Sequence, residues 1–132
     1  MNRDQAPSAR LLLVLGAASG FAAVALGAFG AHGLQDIVDA GRQQAFATAV
    51  QYHGWHALAV IVAGLAARQS DTRALAVAGW LFIAGMLLFS GSIYALVLGA
   101  PRWLGPVTPV GGTLLMAGWA TLAIGFWKTG PQ

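Results

Sequence analysis

The spacing of charged residues constrains this chain more than any other feature. Four stretches of 25, 25, 28 and 25 residues carry no formal charge, and they lie between Arg10 and Asp36, Arg42 and Arg68, Arg73 and Arg102, and Arg102 and Lys128. A bilayer core about 30 Å thick is crossed by about 20 apolar residues in a helix. The 132-residue chain therefore holds four predicted spans, at about 10–31, 44–67, 74–98 and 110–127.

The composition agrees with helices in a membrane. Hydrophobic residues make up 58% of the chain and charged residues 8%, whereas soluble domains carry about 25% charged residues. The apolar runs are continuous and lack the alternation of a barrel wall, and backbone groups in hydrocarbon must pair within their own helix. We predict an all-α, integral membrane four-helix bundle that forms a single domain over 1–132.

Several function classes conflict with this composition. The net charge is +3, but the basic residues stand singly at span ends, so we expect the lipid bilayer as a partner and no nucleic acid. The chain has no cysteine, which excludes disulfides and thiolate chemistry. It has no glutamate, and its four aspartates fall in the tail and loops, which argues against transport coupled through a membrane carboxylate. A histidine could still carry a proton.

Lysine and arginine set the expected orientation, because they concentrate in cytoplasmic loops. One side of the predicted bundle holds five of them and the other holds two; the first group is Arg3, Arg10, Arg68, Arg73 and Lys128, and the second is Arg42 and Arg102. We therefore predict a multi-pass protein of the bacterial plasma (inner) membrane, with both termini in the cytoplasm. The polar segment 1–9 is predicted to be a tail that precedes the first span.

Small residues recur at helical spacing in three spans. Those expected to pack helices together are Gly16, Gly20 and Gly27 in the first span, Gly85 in the third, and Gly111, Gly118 and Gly125 in the fourth. Small residues let membrane helices approach closely, and intervals of seven favour near-parallel, left-handed packing. Trp119 falls near the middle of its span, where we expect it to be buried against a glycine seam.

Polar residues concentrate in the outer half of this topology. The candidate ligand-binding residues there are His32, Tyr52, His56, Ser90, Ser92 and Thr108. With His53, the other two histidines could form a three-histidine metal site, but histidines that bond carbonyls and headgroups are favoured, and we assign no metal. The serines favour bonds to their own or a neighbouring helix over the lining of a path.

No catalytic set is recognisable in the sequence. It shows no Ser-His-Asp arrangement, no paired carboxylates, and no glycine loop followed by the lysine that phosphate binding requires. We therefore expect no enzymatic reaction and no cofactor.

Several motifs resemble a known family over nearly the whole chain. They are GAFGAHGL at 27–34, TAVQYHGWHAL at 48–58, FSGSIY at 89–94, TPVGG at 108–112 and GW at 118–119. Together they resemble the small inner-membrane family of YgdD-like proteins, a family of unknown function related to eukaryotic transmembrane protein 256-like proteins. The residues that match its pattern are His32, Tyr52, His56, Ser90, Gly91, Thr108, Pro109, Gly111 and Gly112, whereas His53 stands where relatives more usually have glutamine. The resemblance implies four membrane helices and no known reaction.

Two hypotheses of function follow. The first is a non-catalytic membrane component that packs through its glycines as a homo-oligomer or as an accessory subunit of a larger complex. The second is a binder or conductor of a small ligand (a lipid, a quinone or a metal) at the polar outer half.

Overall fold

The computed structural model describes residues 6–130, and it is all-helical, as predicted. Its elements are α1 (Ala6–His32), α2 (Ala40–Arg68), α3 (Arg73–Val97), a short 3₁₀ helix (Arg102–Leu104) and α4 (Val107–Lys128). Each α-helix begins and ends within a few residues of its predicted span. The tail predicted for 1–9 is wrong from Ala6 onward, because α1 begins there, and residues 1–5, including Arg3, lie outside the described part.

The helix boundaries follow local chemistry. Asp39 caps the start of α2, where its carboxylate accepts a hydrogen bond of 2.9 Å from the backbone N–H of Arg42. After α3 the chain turns at Gly99, whose φ of 106° favours glycine. Our prediction placed Pro109 in the preceding loop, but it lies in the first turn of α4. A proline is tolerated there because the first backbone N–H groups of a helix have no partner within the helix.

Consecutive helices run antiparallel and pack side by side. The extensive contacts in the described residues join α1 to α2, α2 to α3 and α3 to α4, with a lighter contact between α1 and α3. The bundle is therefore open, because α4 packs almost entirely on α3. One end of the bundle, the two-loop end, carries residues 33–39 and 98–106. The opposite end, the terminal end, carries the 69–72 turn, the start of α1 and the end of α4.

The α3–α4 interface fits large side chains against glycines. A Cβ placed on Gly118 would lie 2.7 Å from the ring of Phe82, and one on Gly125 would lie 2.5 Å from Leu75. Here the glycines belong to α4, but at Gly85 the glycine belongs to α3, and a Cβ there would lie 2.6 Å from Leu115 of α4. At Gly111 the two backbones themselves meet, since a Cβ there would lie 2.3 Å from the backbone nitrogen of Phe89. Large and small residues thus alternate on both helices at heptad spacing.

The α1–α2 interface uses glycines in the same way at most positions. A Cβ on Gly16 would lie 2.7 Å from Ile61, and one on Gly27 would lie 3.3 Å from Val50. Gly20 differs from the other predicted packing glycines, because a Cβ there would meet no atom within 4 Å, and the same holds for Gly54 on α2. Within one chain, Gly20 therefore packs no helix.

Within the described residues, three helical segments are long and apolar enough to cross a membrane, namely Pro7–His32, Arg73–Val97 and Arg102–Lys128. Helix α2 has the length for a fourth crossing, at 29 residues, but its first half carries the polar side chains noted above. Many large apolar side chains on the outside of the bundle are exposed, among them Phe21, Val24, Leu87 and Met116. Such a surface suits hydrocarbon better than water.

Candidate functional site

The predicted ligand-binding residues do not line one cavity. His32 is exposed in the last turn of α1, at the two-loop end. The other predicted residues lie along α2, α3 and the start of α4, where most of their polar atoms bond to other parts of the protein; they are Tyr52, His56, Ser90, Ser92 and Thr108. The structure therefore separates this set into individual bonds between helices.

His56 is buried, with 4% of its surface exposed, and both of its ring nitrogens are bonded. The indole N–H of Trp119 lies 3.0 Å from Nε2. Because an indole nitrogen can only donate, Nε2 is the acceptor and the ring proton is on Nδ1. Nδ1 then donates to the backbone carbonyl of Tyr52 at 2.6 Å. This pairing leaves His56 no free nitrogen for a ligand.

Trp119 is not buried against a glycine seam, so our expectation for this residue was wrong. Its side chain remains 49% exposed on α4, and its ring packs against His56 and Phe82 with centroid distances of 5.8 and 5.0 Å. The tryptophan lies in the middle of the span because its N–H satisfies a buried histidine of α2.

The serines bond within and between helices, which is the interpretation that the sequence favours. Ser90, on α3, donates to the carbonyl of Ala49 on α2 at 2.8 Å. Ser92 donates to the carbonyl of Phe89 at 3.0 Å and lies 2.5 Å from the Thr108 hydroxyl. Since the Ser92 proton is used at Phe89, Thr108 is the donor between the two hydroxyls. These bonds connect α2, α3 and α4 near the two-loop end.

Tyr52 joins this region through its ring. The ring centroid lies 5.0 Å from that of Phe89 and 5.3 Å from that of Trp55. The contact with Phe89 joins α2 to α3, so Tyr52 contributes apolar packing between the two helices.

The three histidines do not come together as a metal site. His53 faces α1 and α3, His56 faces α3 and α4, and His32 lies at the end of α1. In the part of the chain that the structure describes, no group of three His, Asp or Glu residues is placed to hold a metal ion.

A groove between α1 and α3, with α2 as its floor, is the candidate site. We call it the α1–α3 groove, and its volume is about 480 Å³. The residues that line it are Leu15, Ala18, Ser19, Ala22, Leu26, His53, Ile83, Met86, Leu87, Ser90, Gly91 and Tyr94. Its walls are mainly aliphatic, and none of the lining residues carries a formal charge.

A chain of hydrogen bonds crosses the floor of this groove. The Tyr94 hydroxyl lies 2.9 Å from His53 Nδ1, and His53 Nε2 lies 2.8 Å from the Ser19 hydroxyl. Ser19 in turn donates to the sulfur of Met86 at 3.6 Å. Because the Ser19 proton points to sulfur, Ser19 accepts from an Nε2–H of His53, and Nδ1 accepts from Tyr94. A few polar groups that converge in an apolar cleft are typical of small-molecule sites.

Sequence reasoning missed most of this groove. Ser19 and Met86 are not among the residues predicted from the sequence, and the prediction for His53 is a metal ligand or, preferably, a histidine that bonds carbonyls and headgroups. A signal for Ser19 was present, because it is the one hydroxyl residue between Leu11 and Ala31. A lone polar side chain in an apolar span usually faces another helix or a cavity.

A second depression, of about 460 Å³, lies between α1 and α2 at the two-loop end. Gln35, Gln43 and Gln44 are on its rim. The side-chain nitrogen of Gln43 donates to the carbonyls of Val38 and Gln35 at 3.1 and 3.3 Å. That amide therefore holds the 33–39 loop in place.

Comparison with known proteins identifies a family. The model of the protein family of unknown function DUF423 matches residues 26–112. The chain belongs to this family. The match includes all of α2 and α3, so it contains His53, His56 and Tyr94, and it confirms the resemblance to a small membrane family of unknown function.

Relatives in several bacteria cover nearly the whole chain. The UPF0382 membrane protein YwdK of Bacillus subtilis is 41% identical over 116 residues, which is 87% of this chain and 94% of that protein. A UPF0382 membrane protein of Haemophilus influenzae is 44% identical over 118 residues, covering 89% and 94%. One from Staphylococcus aureus (strain bovine RF122) is 41% identical over 121 residues, covering 90% and 97%. No solved structure matches the chain.

These relatives are named as membrane proteins. With three helical segments apolar enough to span, this family member is a multi-pass protein of the bacterial inner membrane, as predicted. Its bundle contacts the lipid bilayer.

Proposed function

We propose that this protein is a non-catalytic inner-membrane component that binds a small, mainly apolar ligand in the α1–α3 groove. The observation that carries the proposal is the hydrogen-bonded chain from Tyr94 through His53 to Ser19 on the floor of an aliphatic cleft. Most other polar side chains of the bundle interior bond to a single partner helix. This chain joins three helices and lies along an open groove.

In this proposal α2 is the fourth span. It lies between α1 and α3 and contacts both extensively. Its polar residues are directed inward, with His56 bonded to α4 and His53 bonded to α1 and α3. A span whose polar groups face other helices can have lower hydropathy than its neighbours.

The proposed orientation places both termini in the cytoplasm. Arg10, Arg68, Arg73 and Lys128 lie toward the terminal end, and Arg42 and Arg102 lie toward the two-loop end. The excess of positive charge supports a cytoplasmic terminal end. The α1–α3 groove then opens into the hydrocarbon at mid-membrane and in the outer half.

Ser19 and His53 have the spacing of a nucleophile and its base, yet the surroundings favour binding over catalysis. Tyr94 occupies the place where a carboxylate would orient the histidine. Ser19 lies in the middle of α1, where the backbone N–H groups are used within the helix and cannot form an oxyanion hole.

A pair of glycine variants tests the proposal. Gly91 lines the groove, and a Cβ there would meet no atom within 4 Å, so Gly91→Leu starts from open space and places an apolar side chain in the groove. Gly20→Leu is the matched control, because Gly20 also faces open space but does not line the groove. Native mass spectrometry of protein taken from its own membrane should show a reproducible added mass on the wild type and on Gly20→Leu. The added mass should be absent from Gly91→Leu. Equal retention by all three proteins would refute the groove as the site.

A second candidate function is assembly as a homo-oligomer or as an accessory subunit. The observation in its favour is the open space at Gly20, beside the exposed side chains of Phe21 and Val24. The other predicted packing glycines already contact their own chain, so an assembly would use this face of α1. The same native mass spectra test it, since Gly20→Leu should reduce a dimer or a complex with a second protein while Gly91→Leu leaves it unchanged.

A further inference from the structure

We infer that the ligand of the α1–α3 groove is a neutral lipid with a carbonyl group in its head, and that Ser19 donates the hydrogen bond to this carbonyl. The inference rests on the proposed function and specifies its ligand. Three properties of the groove lead to it, namely its lack of charge, its depth in the membrane and the one donor that it leaves weakly bonded.

The lining excludes a charged head. Among the residues that the structure describes, no lysine, arginine, aspartate or glutamate lines the groove. A phosphate moved into such surroundings would lose its hydration and gain no cation in return. The hydroxyls of the groove are able to bond an uncharged carbonyl or hydroxyl group.

The depth of Ser19 points the same way. Ser19 is the fourteenth residue of the 27-residue helix α1, so it lies about 20 Å from either end. His53 is likewise at the middle of α2. A bilayer core about 30 Å thick therefore has these groups near its midplane, far from phospholipid headgroups. Neutral lipids such as quinones and diacylglycerols can place a carbonyl at this depth.

Ser19 is the donor that a ligand can recruit at least cost. Its hydroxyl donates to the sulfur of Met86 at 3.6 Å, and a thioether is a weak acceptor. A carbonyl oxygen is a better acceptor, so exchanging the sulfur for a carbonyl strengthens the bond. The Ser90 hydroxyl, by contrast, already donates to a backbone carbonyl at 2.8 Å. The bond that His53 donates to Ser19 also polarises the serine hydroxyl toward a ligand.

The test is a native mass spectrometry titration of the full-length protein in detergent micelles with four lipids. Ubiquinone with two isoprene units and dioleoylglycerol carry carbonyls, dioleoylphosphatidylglycerol adds a charge, and squalene is a hydrocarbon. We expect at least one of the two uncharged carbonyl lipids to bind more tightly than phosphatidylglycerol and squalene. The member of the pair that binds more tightly identifies whether the source is a quinone or a glyceride.

Two variants then isolate the hydroxyl. Ser19→Ala should weaken binding of the preferred carbonyl lipid about 3- to 10-fold, which corresponds to one net hydrogen bond, and leave squalene unchanged. Met86→Leu keeps the apolar wall at similar volume but removes the sulfur, so it should bind the carbonyl lipid as tightly as the wild type or more tightly. A merely structural role of Ser19 would lower binding of both lipids together.

The outcomes separate this inference from the proposed function. The inference is overturned if phosphatidylglycerol binds most tightly, or if Ser19→Ala binds the carbonyl lipid as tightly as the wild type does. It is also overturned if Met86→Leu loses as much affinity for the carbonyl lipid as Ser19→Ala does. In those cases, binding that Gly91→Leu abolishes would still support the groove. If Gly91→Leu and the wild type bind all four lipids equally, the proposed function itself fails.

Discussion

Replacing Gly111 with alanine tests the closest approach of two helices in this protein. A Cβ at this position would lie 2.3 Å from the backbone nitrogen of Phe89, 2.6 Å from the carbonyl carbon of Leu88 and 2.8 Å from the Cα of Phe89. All three are main-chain atoms, so no side-chain rotation can relieve the overlap. Ordinary contacts begin at 3.4 Å, and α3 and α4 would therefore have to separate locally by about 1 Å.

The neighbouring residue supplies a matched control. A Cβ on Gly112 would lie 3.6 Å from the ring of Phe89, which is an ordinary contact. Both glycines lie in the first two turns of α4, so the gain in helix propensity on going to alanine, about 1 kcal/mol, applies to both variants and cancels in their comparison. The difference between them measures the packing cost.

That cost should be large. Overpacking a close-fitted interface typically costs about 1–3 kcal/mol, and a gap of 0.5–1 Å forfeits about a quarter to a half of each dispersion contact along it. Because the obstacle is backbone and α4 packs almost entirely on α3, we expect Gly111→Ala to lie about 3 kcal/mol below Gly112→Ala in free energy of unfolding. Tryptophan fluorescence during SDS titration in mixed micelles measures this difference. If the two variants unfolded at the same SDS mole fraction, the close approach of α3 and α4 at Gly111 would be refuted.

Three further predictions concern a buried bond and the topology. Trp119→Phe leaves His56 Nε2 without a donor, so it should lower the free energy of unfolding by about 1–3 kcal/mol in the same titration. Trp127→Phe is the control, because Trp127 is 88% exposed, and it should change the free energy of unfolding by less than about 0.5 kcal/mol. Replacing both partners, Trp119→Phe with His56→Phe, should recover most of the loss, because no buried polar atom is then left unpaired; a double variant less stable than the single one would contradict this account. The chain has no cysteine, so Arg102→Cys should react with an impermeant maleimide on intact cells and Gln69→Cys only after lysis; the reverse pattern would place the termini outside.

The four helices could be predicted because charge and hydropathy act over whole segments. Each uncharged stretch has to be long enough to cross hydrocarbon, and this requirement locates a helix within a few residues. The error at the start of α4 occurred where a single residue decides a boundary. Pro109 was assigned to a loop, although a proline at the start of a helix loses no bond that the helix would otherwise make.

The candidate site could be predicted only in part, because sequence gives a residue's place along a helix but not its neighbour. His53 and His56 are three residues apart and share a broad helix face. Nevertheless, one bonds to Ser19 and Tyr94 and the other to Trp119. Which of them faces an open groove depends on the rotation of α2 against its neighbours, and that rotation is set by packing at several distant glycines.

The alternation of large and small residues along α3 and α4 has a consequence for how the two helices find their alignment. The pattern repeats every seven residues, so sliding one helix past the other by about 10 Å would again place bulky side chains opposite glycines over the remaining overlap. Apolar shape alone therefore permits more than one closed arrangement of this hairpin.

Two polar bonds distinguish the correct arrangement from its shifted copies. The Thr108–Ser92 bond and the Trp119–His56 bond can form together only in the observed alignment. In a medium where water does not compete for donors and acceptors, these two bonds fix the register of α4 against its neighbouring helices. A membrane protein built from repeating glycines thus requires a few unrepeated polar side chains to select one fold.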